Sequence, residues 1–131
     1  MSDHPDEFFL YYKMTDLAKS SKKSSNEAAG WDIYAAEMHE IPLHSRAVVG
    51  TGVVIDPPKH TYTRIAPCSR LAARGIDVGA GVVDPNYTGE LKVVLINTTD
   101  FIFSVKPGDR IAQIIFEYYA EGLPSQSYQP L

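Results

Sequence analysis

One cysteine, Cys68, occurs in 131 residues. That excludes an internal disulfide framework and a Cys-based zinc site. No apolar run approaches the roughly eighteen residues that a membrane-spanning helix needs, so no membrane partner is expected. The opening MSDHPDEFFL is acidic and lacks the basic leading segment of a secretory signal, which points to an intracellular protein. Excess positive charge is missing too. Lys and Arg number 12 against 16 Asp and Glu, for a net charge of -4. Duplex nucleic acid is therefore not the expected partner, because phosphate neutralisation needs clustered cations. Small anions stay open, since a few placed cations and backbone N–H groups suffice for them. The histidines His4, His39, His44 and His60 are scattered, so no zinc site is expected from them.

What is present suits one globular domain. Hydrophobic residues make up 44% and charged residues 21%, which supports a core and excludes a disordered chain. The dominant period is two. Runs rich in Val, Ile, Tyr, Phe and Thr span 8–13, 33–35, 47–55, 62–66, 90–97, 101–105 and 111–118. Turn formers separate them, such as Asp56-Pro57-Pro58, Asp84-Pro85-Asn86 and Lys106-Pro107-Gly108-Asp109. The pattern predicts an all-β barrel or sandwich with at most one short helix, over Ser69–Arg74. That helix is capped by Ser69 and ends before Gly75. Residues 1–121 form the domain, in which the Ser- and Lys-rich stretch 19–27 is a mobile loop. Residues 122–131 form an extended C-terminal arm, a candidate surface for a protein partner.

The segment GIDVGAGVVDPNYTG, residues 75–89, holds four of the nine glycines. Such a density demands unusual backbone angles or close approach to something. In a strand-rich chain it is either a bulged hairpin or a hairpin whose exposed main chain holds a ligand.

Four segments in order carry a resemblance: Ala29-Gly30-Trp31-Asp32-Ile33-Tyr34-Ala35-Ala36, Ala66-Pro67-Cys68-Ser69-Arg70-Leu71-Ala72, Gly79-Ala80-Gly81-Val82-Val83-Asp84-Pro85-Asn86-Tyr87-Thr88-Gly89-Glu90, and Gly108-Asp109-Arg110-Ile111-Ala112-Gln113. Together they resemble four of the five motifs of the homotrimeric dUTPase family, over about residues 28–118. The resemblance implies a small dUTPase-like β-barrel of jelly-roll type that assembles as a homotrimer. It also implies Mg²⁺-dependent hydrolysis of dUTP to dUMP and pyrophosphate at sites between subunits. Two departures stand out. The family's Pro-Arg-Ser-Gly is here Pro67-Cys68-Ser69-Arg70, which moves the cation by two positions. The family's fifth motif, a Gly-rich closing arm, does not occur in these 131 residues.

Roles follow from the same resemblance. Asp84 orients or activates the attacking water. Its other reading is a turn carboxylate before Pro85. Tyr87 packs against the deoxyribose, and the backbone of Gly81, Val82 and Val83 bonds the uracil edge, with Lys92 nearby. Cys68, Ser69, Arg70 and Gln113 face the phosphates. Asp32 is a supporting carboxylate, and Asp109 with Arg110 forms a buried or interfacial ion pair. Mg²⁺ is held mainly by phosphates and water, without a protein ligand cluster. The alternative function is a catalytically impaired module of this fold that acts through protein partners. The related dCTP deaminase branch fits less well, because Ser69-Arg70-Leu71-Ala72-Ala73-Arg74 only approximates its Ser-x-x-Ala-Arg element.

Overall fold

The computed structural model describes residues 7–131, so His4 lies outside the described residues. Eleven strands and one short helix are formed among them. Strand β1 (Leu10–Lys13) pairs with β5 (Val53–Asp56), and β3 (His39–Ile41) pairs with β10 (Phe103–Val105). A four-stranded sheet runs in the order β2 (Trp31–Tyr34), β11 (Arg110–Tyr118), β6 (Thr61–Ala66), β8 (Val82–Val83). A three-stranded sheet runs β4 (Ser45–Gly50), β9 (Lys92–Asn97), β7 (Ile76–Gly79). Every pairing is antiparallel. The expected all-β architecture with one short helix is what forms.

Alternation builds the core. In β6, Thr61, Thr63 and Ile65 are buried while Tyr62 and Arg64 face outward; in β9, Val93, Leu95 and Asn97 are buried. Ile41, Val49, Val105, Ile111 and Ile114 complete the interior. Phe9 closes one end against Trp31 and Phe116, with ring centroids 5.3 and 4.8 Å away. Asn97 is fully buried. Its amide donates to the carbonyls of Ile41, Pro42 and Phe101 at 3.1, 3.2 and 2.8 Å, which fastens β9 to two loops.

Several expectations are revised. The run 47–55 is two strands, because Gly52 takes a φ of 67° and turns the chain. Thr51 fills that turn, donating its hydroxyl to the Leu91 carbonyl at 2.7 Å and accepting the Val53 N–H at 3.2 Å. Strands β3, β7 and β8 lie outside the runs expected from the sequence, with β7 and β8 falling in the Gly-rich segment 75–89. Helix α1 (Ser69–Ala73) starts one residue earlier than a cap at Ser69 allows. Cys68 holds the cap position with extended angles and no side-chain bond, and Ser69 is the first helical residue. Gly75 ends the helix at φ 88°, its N–H donating to Ala72 at 3.0 Å.

The segment 19–27 lies against β2. Lys22 bridges Asp32, whose N–H donates to the Lys22 carbonyl at 2.6 Å. Lys19 and Lys23 sit over the rings of Tyr34 and Trp31, at 4.1 and 5.3 Å from their centroids. Residues 122–131 are exposed throughout and form no strand with the described residues.

Candidate active site

The Gly-rich segment crosses from β7 to β8 and puts an open strand edge at the surface. Ala80 takes a φ of 50°, and Gly81 presses so close to the Ile65 carbonyl that a Cβ could not fit between them. The Ile65 N–H donates to the Gly81 carbonyl at 2.7 Å, and the ladder continues as Arg64 opposite Val82 and Thr63 opposite Val83. Hydrogen-bonded and non-bonded pairs alternate in such a ladder. Gly81 and Val83 therefore turn their main-chain groups to β6, while the N–H and carbonyl of Val82 point away from it. Strand β8 is the edge of its sheet, so the Val82 groups have no strand partner among the described residues.

After β8 the chain turns at Asp84–Tyr87, closed by the Tyr87 N–H on the Asp84 carbonyl at 3.1 Å. Behind the turn, Glu90 Oε2 accepts the Gly52 N–H at 2.9 Å, and Leu91 N–H donates to Val53 at 2.8 Å. A second carboxylate, Glu37, takes the Gly50 N–H at 2.9 Å and lies 2.8 Å from His39 Nε2. Its bond to His39, then the Gly50 N–H, holds the Glu37 carboxyl below its ordinary range. The bonds of Glu90 and Leu91 root the hairpin in the β4–β5 turn.

A cleft of about 250 Å³ results, lined by Val82, Val83, Asp84, Tyr87, Lys92 and Glu90, with Ile65 and Leu91 deeper and Ala80 at its rim. Five residues expected from the sequence thus come together: Val82, Val83, Asp84, Tyr87 and Lys92. Gly81 backs the same hairpin through Ile65. Glu90, Ile65 and Leu91 carry no sequence signal of their own as site residues. Glu90 closes the third motif, and that adjacency is the available clue.

The residues expected at phosphate sit elsewhere on the chain. Arg70 lines a second cleft of about 220 Å³, together with Arg74, Arg110, Ser104, Asp109 and Cys68. The two clefts share no lining residue. Ser69 and Arg70 are exposed, whereas Cys68 is 5% exposed and belongs to the core cluster with Ile65 and Leu71. Gln113 lies opposite both Asp32 and Ala66 in its two pairings, and its amide donates to the Pro67 carbonyl at 3.1 Å. The first, second and fourth motifs therefore meet around Gln113.

Within the chain, Arg110 pairs with Asp32, and no ion pair joins it to Asp109 among the described residues. Arg110 Nη1 lies 3.5 Å from Asp32 Oδ2, which also accepts the Ser24 hydroxyl at 3.0 Å. Asp109 instead accepts the Lys106 N–H at 2.8 Å and gives its carbonyl to the Ala35 N–H at 2.8 Å. Neighbours along a strand point to opposite faces, and the β2–β11 register puts Asp32 on the Arg110 side. Burial, then the adjacent Asp32, raises the pKa of the Tyr34 hydroxyl.

No group of three or more His, Cys, Asp or Glu that could hold a metal ion is found among the described residues. Among the same residues, no helix is long and apolar enough to cross a membrane.

An all-β domain that offers a carboxylate, an aromatic ring and free main chain to one small cleft is a small-ligand binder. Comparison with known proteins narrows the class. The dUTPase family model matches residues 16–131. The deoxyuridine 5'-triphosphate nucleotidohydrolase of Variola virus is 44% identical over 113 residues, covering 85% of this chain and 77% of the relative. That of Vaccinia virus (strain Copenhagen) shows the same identity and coverage. Among solved structures, the phage phi11 dUTPase of S. aureus superposes with a TM-score of 0.85 at 17% identity, over 93% of this chain and 97% of that one. The bacteriophage 80alpha dUTPase with dUPNHPP reaches 0.87 at 17% identity, over 93% and 89%. The structure of a point mutant of the phi11 enzyme bears on how a structural Mg(II) ion is coordinated there. The chain belongs to the dUTPase family.

Proposed function

We propose that this protein hydrolyses dUTP to dUMP and pyrophosphate, with Asp84 orienting or activating the attacking water. The observation that carries the reading is the hairpin cleft, which joins Asp84, Tyr87 and the free main chain of Val82 in one place. It stands alongside 44% identity to nucleotidohydrolases of that substrate.

The chemistry follows from what the cleft offers. The Val82 N–H and carbonyl form a donor–acceptor pair that suits the edge of uracil. Cytosine reverses that pattern and leaves buried groups unpaired, which discriminates strongly. The hairpin around Gly81 leaves little space for a thymine methyl. The Tyr87 ring packs on the sugar face, where a 2′-hydroxyl has no room. The Asp84 carboxylate is exposed at the turn and can accept a proton from water. Negative charge spreads over the phosphoryl oxygens as the bond breaks, and fixed donors stabilise it. Ser69, Arg70 and Gln113 are the groups proposed for that task, with Arg70 supplying charge that Cys68 does not carry.

Mg²⁺ suits this donor set when the substrate brings most of its ligands, because the ion keeps several waters and uses few protein carboxylates. Bound with the phosphates, it neutralises their charge. Asp32 stays a supporting carboxylate, engaged by Arg110 and Ser24.

The active assembly is proposed to be a homotrimer. In one chain, the nucleoside cleft and the cleft lined by Arg70 share no residue. Sites between subunits let one protomer present Asp84 and Tyr87 to the phosphate donors of its neighbour. An intracellular location fits a nucleotide substrate.

The test is pyrophosphate release with Mg²⁺ from dUTP, dCTP, dTTP and UTP, each offered separately. Turnover of dUTP alone supports the reading. Binding of dUTP without turnover contradicts it and favours an impaired module acting through other proteins.

A further inference from the structure

Tyr87 is strapped down at both ends of its own turn. Its N–H donates to the Asp84 carbonyl at 3.1 Å, and its hydroxyl donates to the Glu90 carbonyl at 2.7 Å. The ring thus folds back across Gly89. A Cβ on Gly89 would lie 2.6 Å from the hydroxyl oxygen and 2.8 Å from Cζ. Gly89 is not among the residues with positive φ, so its backbone angles do not require glycine. The space under the ring does.

The acceptor end of the strap is anchored. Glu90 holds the Gly52 N–H through Oε2, and Leu91 exchanges backbone bonds with Thr51 and Val53. The ring itself is 44% exposed. One of its sides lines the Asp84 cleft, and it also lines a separate cleft of about 490 Å³ with Tyr12 and Val54. The ring is partly open to solvent, and on the hairpin side its hydroxyl bond and the bare Gly89 backbone fix its position.

We infer that Gly89 and the Tyr87–Glu90 hydrogen bond are positioning elements that determine rejection of ribonucleotides. Where the ring sits, beyond its being there, decides whether a 2′-hydroxyl finds room. The inference rests on the proposed reading that Tyr87 faces the sugar of dUTP.

The experiment measures kcat/KM for dUTP and for UTP in the full chain and in Tyr87→Ala, Tyr87→Phe and Gly89→Ala, with a melting temperature for each. Tyr87→Phe keeps the ring and removes the strap. Its preference for dUTP over UTP is expected to fall about 3- to 10-fold, the range of one hydrogen bond. Gly89→Ala displaces the ring, and its preference is expected to fall further, toward that of Tyr87→Ala. A purely structural role lowers both kcat/KM values by one factor and leaves their ratio alone. If Tyr87→Ala relaxes the ratio while Tyr87→Phe and Gly89→Ala keep it at the parent value, the inference is overturned and the sugar reading stands. An unchanged ratio in Tyr87→Ala overturns the sugar reading itself and the inference with it. Should Gly89→Ala not fold, Tyr87→Phe decides.

Discussion

The Gln113 side chain occupies the space that a side chain at Gly30 would need. A Cβ on Gly30 would collide with the Gln113 amide oxygen, and the other end of that amide donates to the Pro67 carbonyl at 3.1 Å. Two motifs far apart in sequence thus fit one side chain.

Gly30→Ala is expected to push Gln113 off Pro67 and to raise the KM for dUTP by about 3- to 10-fold, the worth of one polar contact. Gln113→Ala should do the same, and the double variant should lose no more than either alone. Steady-state kinetics of the three variants check this. Additive losses would contradict a shared role.

Asn97→Ala removes a fully buried amide that serves three carbonyls. It also removes the acceptor of the Thr99 N–H and one of the two acceptors of its hydroxyl. The expected loss of stability is about 2–4 kcal/mol, because buried groups are left unpaired. Denaturant unfolding gives the value, and a loss under about 1 kcal/mol would speak against the network.

The outer face of β6 and β11 predicts a pH dependence. Tyr62 donates to Glu117, and Arg64 Nε lies 3.1 Å from the same carboxylate. The bond from Tyr62, then that from Arg64, holds the Glu117 carboxyl below its ordinary 4.5. Its contribution is present above pH 4.5 and is lost as pH falls through the depressed value. The bond to Glu117 also raises the Tyr62 hydroxyl above 10.0, so that contribution is full below pH 10.0 and lost as pH rises through the raised value. The melting-temperature gap between parent and Glu117→Gln should be flat between these limits and shrink beyond both. A gap that persists into acid would contradict the assignment.

Light scattering of the purified protein should give the mass of three chains. A monomer with full dUTP turnover would break the proposal that sites form between subunits.

Much of this is legible in the sequence. Period-two runs with β-branched residues mark most strands, and the Gly79–Glu90 segment marks the hairpin. The misses have local causes. The apolar run 47–55 hides its turn, because Thr51 and Gly52 only stand out once Thr51 is seen bonding Leu91 and Val53. Ser favours the cap position, which makes Ser69 the natural choice, but the chain is already extended at Cys68 and Ser69 enters the helix. Sequence adjacency suggests Asp109 as the partner of Arg110, while strand alternation and the β2 register select Asp32. Ile65 and Leu91 reach the cleft only through bonds to segments distant in sequence, which residue spacing does not encode, whereas Glu90 adjoins the third motif.

The most direct test concerns Asp84. Pyrophosphate release from dUTP and calorimetric binding of dUTP should be measured side by side for the parent and Asp84→Asn. Loss of turnover by at least about a thousandfold with dUTP binding largely kept is the predicted result, since the substitution keeps the shape and removes the base. Near-normal turnover in Asp84→Asn would contradict the account.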